Sequence, residues 1–102
     1  MLTNAAPHDP LRVLIIDDSR TQALHTERVL ASAGMVTRSL TDPIRTMAEL
    51  ADFQPDLIIL DLYMPACTGP ELAKVIRHSD RYVSVPIIYC LPRTTWTSSW
   101  MP

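Results

Sequence analysis

Two stretches of four consecutive apolar residues, each closed by an aspartate, constrain this chain more than any other feature of it. Val13-Leu14-Ile15-Ile16 runs into Asp17-Asp18-Ser19, and Leu57-Ile58-Ile59-Leu60 runs into Asp61-Leu62-Tyr63-Met64-Pro65. Uninterrupted apolar runs rich in β-branched residues are the pattern of strands covered on both faces, as in a parallel sheet. Each aspartate then falls at the carboxyl end of its strand, where open α/β sheets place their sites. Carboxylates gathered at one sheet edge repel one another, and a hard cation with oxygen ligands, such as Mg²⁺, relieves that repulsion. The plainer role for Asp18 or Ser19 is to cap a helix beginning at Arg20. The second acidic strand end, followed by Met64-Pro65 and Gly69, favours an acidic, metal-dependent pocket.

At 102 residues the chain suffices for one small domain. A 47% hydrophobic share with a net charge of −2 fits a globular fold and argues against a nucleic-acid-binding surface. No apolar stretch approaches the roughly 20 residues of a membrane span, and Met1 to Pro10 lacks the hydrophobic region of a signal peptide. A cytoplasmic location is the resulting expectation. Cys67 and Cys90 are far apart and lack metal-ligand spacing, which reads as two ordinary thiols.

Residues 1–10 are polar with two prolines, and read as a flexible lead-in. Leu11 to Asp17 predicts the first strand, and Ser19 to Ala33 the first helix, closed by Gly34. Met35 to Leu40 predicts a second strand. Asp42-Pro43 is a helix start, an N-cap followed by proline at the first helical position, and that helix should reach about Phe53. Pro55-Asp56 turns the chain into the third strand. A loop from Leu62 to Gly69 leads to a helix opened by Pro70 and ending near Arg77, with Leu72, Val75 and Ile76 as its buried stripe. Val85 to Cys90 supplies a fourth strand. Strands alternating with helices imply right-handed crossovers and a parallel sheet, with no repeats and no second domain.

The motifs V-L-I-I-D-D-S, L-I-I-L-D-L-Y-M-P-A-C-T-G-P-E-L and V-P-I-I-Y together resemble the receiver domain of two-component response regulators, over residues 11–90. The resemblance implies a flavodoxin-like, doubly wound sheet that is incomplete after the fourth strand. It implies that Asp61 accepts a phosphoryl group from a sensor histidine kinase or phosphotransfer protein. It further implies that Asp17, Asp18 and Asp61 hold Mg²⁺ together with the Tyr63 backbone carbonyl. The chemistry agrees, because a carboxylate attacking phosphorus must approach an anionic donor, and a metal aligns the oxygens and neutralises developing charge.

The family pattern also has a Ser or Thr ending strand four and a lysine ending strand five. Here the hydroxyl position falls at Leu91, with Pro92 after it, and no such lysine follows. Residues 91–102 hold both tryptophans among Thr and Ser, and the periodicity of strands and helices stops there. A one-base displacement of the reading frame near the Cys90 codon accounts for this tail. Trp96-Thr97 and Trp100-Met101 then each force Asp, and Met101-Pro102 forces Ala. With AGY serines the displaced frame reads Leu-Ser-Ala-Glu-Asn-Asp-Leu-Asp-Lys-Gln-Leu-Asp-Ala, which resembles the end of strand four and the next helix of an ordinary receiver. The expectation for the present chain is an aberrant tail, compromised isolated folding and impaired switching.

His25 and His78 as phosphoryl carriers, Cys67 as a nucleophile, and Arg77, Arg81 and Tyr82 as a partner surface are weaker readings, since each fits an ordinary solvated position. An aspartate-nucleophile enzyme of the haloacid-dehalogenase type needs two aspartates separated by one residue, which neither Asp17-Asp18 nor Asp61-Leu62-Tyr63 provides. A phosphorylation-independent pseudo-receiver acting as a protein-binding module is the stronger rival. The run from Tyr63 to Ala73 resembles receivers attached to cyclic-di-nucleotide signalling domains.

Overall fold

The computed structural model describes residues 9–90. Four strands form, β1 at Arg12–Ile16, β2 at Val36–Leu40, β3 at Leu57–Asp61 and β4 at Ile87–Cys90. They make one parallel sheet in the order β2-β1-β3-β4. Three helices connect them, α1 at Arg20–Ser32, α2 at Thr46–Phe53 and α3 at Gly69–Arg77. The expectation of a doubly wound parallel sheet holds. The expectations for the lead-in, apart from Asp9 and Pro10, and for the tail after Cys90 concern residues outside those described.

The apolar runs behave as two-faced strands. Leu14, Ile16, Ile58 and Leu60 point to the side of α2 and α3, where they join Leu50, Phe53, Leu72 and Ile76 in the larger core. Val13 and Ile15 point the other way, against Ala23 of α1, with Leu30, Met35, Leu57 and Ile59 partly buried around them. This second layer is thin. Ile88 of β4 is half exposed, whereas its neighbour in β3, Ile59, is partly covered.

Several boundaries differ from the sequence reading. The helix expected from Pro43 starts as a 3₁₀ turn, Pro43–Arg45, because the Arg45 N–H reaches back only three residues to the Asp42 carbonyl, at 3.1 Å. The Thr46 hydroxyl donates to the Pro43 carbonyl at 2.7 Å, and the α-helix proper begins there. That helix ends at Gln54 in the left-handed region, φ 52°.

α3 starts at Gly69 rather than Pro70, because Thr68 is its N-cap. The Glu71 N–H donates to Thr68 Oγ1 at 3.2 Å, and the Thr68 N–H donates to Glu71 Oε1 at 2.8 Å, a reciprocal capping box. The buried stripe is Gly69, Leu72, Ala73 and Ile76, spaced i, i+3, i+4, i+7, and Val75 is exposed instead. Small residues at 69 and 73 let the helix lie close to the sheet, which turns Val75 to solvent.

α2 is tied down by arginines on both flanks of Phe53. The Arg12 guanidinium lies 4.4 Å from the ring centroid and that of Arg38 lies 4.7 Å from it. Arg12 also donates to the Phe53 carbonyl at 2.6 and 3.1 Å, and Arg38 bonds Asp52 at 2.7 Å and Glu49 at 3.1 Å. β2, an edge strand with few apolar positions, is therefore anchored to the helix beside it.

Candidate functional site

Parallel pairing of β1 and β3 in register, Ile16 beside Leu60, brings the residues that follow both strands to the same edge. Asp17, Asp18 and Asp61 each place a carboxylate oxygen within 4.8 Å of the others. Asp17 and Asp61 are buried and Asp18 is exposed, so the group opens to solvent on one side.

Backbone contacts hold the two buried carboxylates. Asp17 Oδ1 accepts the Ser19 N–H at 2.9 Å, while the Ser19 hydroxyl caps α1 by accepting from Gln22 at 3.3 Å. Ser19, not Asp18, is therefore the cap, and Asp18 is left free to face the cluster. Asp61 Oδ1 accepts the Tyr63 N–H at 3.4 Å. The loop from Leu62 to Thr68 is closed on itself, since Gly69 donates to the Leu62 carbonyl at 2.8 Å and Tyr63 bridges Thr68.

The electrostatics are those of crowded acids. Burial, then the charge of Asp17 and hydrogen bonding with Asp18, push Asp61 up to about 7, against the weaker opposing effect of the Tyr63 N–H. Burial also raises Asp17, and its bond from Ser19 and its hydrogen bond with Asp61 offset part of that rise. Asp61 thus holds its proton well above the usual carboxylate range. Cys90, paired with Asp61 across β3 and β4, has its thiol raised by burial and by the charges of Asp17 and Asp61, which makes it a poor nucleophile at neutral pH.

The donor set suits a hard divalent ion. It consists of carboxylate oxygens with no imidazole or thiolate, which is the chemistry of Mg²⁺ or Mn²⁺ rather than zinc. Among the described residues this is the group of three or more potential ligands that the fold assembles.

The other candidates lie elsewhere. His25 is exposed on α1, and His78 is exposed at the end of α3. Cys67 is partly buried against the larger core, with its thiol raised by burial and by Glu71. Arg77 is turned inward, donating through one nitrogen to the carbonyls of Tyr82, Val83 and Val85 at 2.8, 3.2 and 2.6 Å. Arg81 lies 5.6 Å from the Tyr82 ring, and that ring is buried, so these three residues do not form an open partner surface.

The sequence reading used Gly69 as part of the motif but assigned it no structural role. A Cβ there would stand 2.6 Å from the Asp61 carbonyl oxygen and 3.1 Å from Leu62 Cα, so only glycine permits this approach of α3 to the site. The signal was present in T-G-P-E, since a capping box at Thr68 and Glu71 fixes where the helix begins relative to Asp61.

Comparison with known proteins agrees with this arrangement. The family model described as "Response regulator receiver domain" matches residues 13–94. An uncharacterized 76.5 kDa protein of Thiocystis violacea is 36% identical over 78 residues, which are 76% of this chain and 11% of that protein. Protein PilG of Pseudomonas aeruginosa is 31% identical over 80 residues, 78% of this chain and 59% of PilG. The chain thus spans only part of the length of these relatives. Among solved structures, the chemotaxis response regulator CheY4 of Vibrio cholerae superposes with a TM-score of 0.74 at 30% identity, covering 79% of this chain and 68% of CheY4. With its sheet order, its acidic strand ends and this match over most of its length, the chain belongs to the response regulator receiver domain family.

Proposed function

We propose that Asp61 is the phosphoacceptor of this receiver, with Asp17, Asp18 and the Tyr63 backbone carbonyl as its metal-binding partners. The observation that carries the reading is the convergence of three carboxylates within 4.8 Å, with Asp61 buried among them at the end of β3. A phosphohistidine of a sensor kinase or phosphotransfer protein, in the cytoplasm, is the donor. An Asp61 oxygen attacks phosphorus, the P–N bond breaks, and the imidazole leaves with its electron pair. Asp61 must be ionised to attack, so its proton has to depart first. Asp17, Asp18 and Asp61 would hold Mg²⁺, whose positive charge would lower this proton affinity and offset the charge of the incoming phosphoryl group.

The chain is a phosphoryl acceptor rather than an enzyme acting on a separate substrate. Its switching is impaired, because Leu91 occupies the position where the family places a hydroxyl. A state-dependent grip on the phosphoryl oxygens is what biases one conformation over another, and an aliphatic side chain offers none. Leu91 also supports the second reading, a phosphorylation-independent module that binds a protein partner. Incubation with acetyl phosphate and Mg²⁺ separates the two. A base-labile acyl phosphate that disappears in Asp61→Asn is expected, and label that persists in that variant would refute the assignment of Asp61.

A further inference from the structure

We draw no further inference here: the strongest candidate, the exposed apolar surface patch of Ile44 and Met47 where the chain enters α2, carries nothing because nothing in the structure shows what covers it.

Discussion

Gly69 and Asp61 approach so closely that a side chain on the first would collide with the backbone of the second. α3 is thereby packed directly onto the end of β3, the strand that carries Asp61. The position of the carboxylate is set from two directions, by the ladder from β1 on one side and by the first turn of α3 on the other.

Gly69→Ala should therefore act on both stability and chemistry. The contact is with main-chain atoms, which cannot rotate away, so a loss of about 2 kcal/mol or more is expected. Urea melts measure that cost, and phosphodonor labelling at a concentration of denaturant where both chains remain folded measures the misplacement of Asp61. Unchanged labelling would show that the strand alone positions Asp61.

Stability without metal should fall as pH rises. Asp61 keeps its proton to about pH 7 in the folded chain, against an ordinary 3.8. Between these values the folded state binds a proton that the unfolded chain has released, so the contribution is fully present below about pH 3.8 and is lost as pH passes through about 7. Asp17 is shifted in the same direction. Thermal melts in buffer with chelator check this, and a midpoint that rises across the same window would contradict the crowding of these carboxylates.

Asp61→Asn should make the metal-free chain more stable at pH 8. Two unit charges at 4.8 Å repel by on the order of 3 kcal/mol in an effective dielectric of about 20. Removing one of the three should return about 1 to 3 kcal/mol, or roughly 4 to 20 °C in midpoint for a domain of this size. The gain should vanish when Mg²⁺ is present at saturation.

Metal uptake should release protons. Occupancy requires ionised carboxylates, so affinity for Mg²⁺ rises with pH through about 7, and binding near neutrality expels the proton held by Asp61. Calorimetry in two buffers of different ionisation enthalpy reads the proton count directly. Asp18→Asn should weaken binding by about 10-fold or more, about 1.4 kcal/mol, and equal affinity would remove Asp18 from the ligand set.

The strand ends were legible because two-sided burial leaves an unmistakable trace, a β-branched run with no polar interruption. Asp17 and Asp61 could be placed from that trace alone, and their adjacency follows from parallel pairing. Val75 reads as inward because hydrophobicity alone does not distinguish it from Ala73. The deciding factor is the close approach that Gly69 allows, a tertiary property. The 3₁₀ start at Pro43 turned on which carbonyl the Arg45 N–H would choose, a competition that residue preferences leave open. The stacking of Arg12 and Arg38 on Phe53 joins β1, β2 and α2 across long sequence separations, and no local pattern announces it.

Arg77 holds three carbonyls of the segment that delivers the chain from α3 to β4, so the last turn of the helix and the entry to the strand share one fastening. Neither can loosen alone. Amide exchange should report Ile76, Arg77 and Ile87 opening as a single cooperative unit, separate from β1 and β2. Shortening that arm to methionine would divide the unit in two, letting the edge of the sheet fray while the acidic pocket stays assembled.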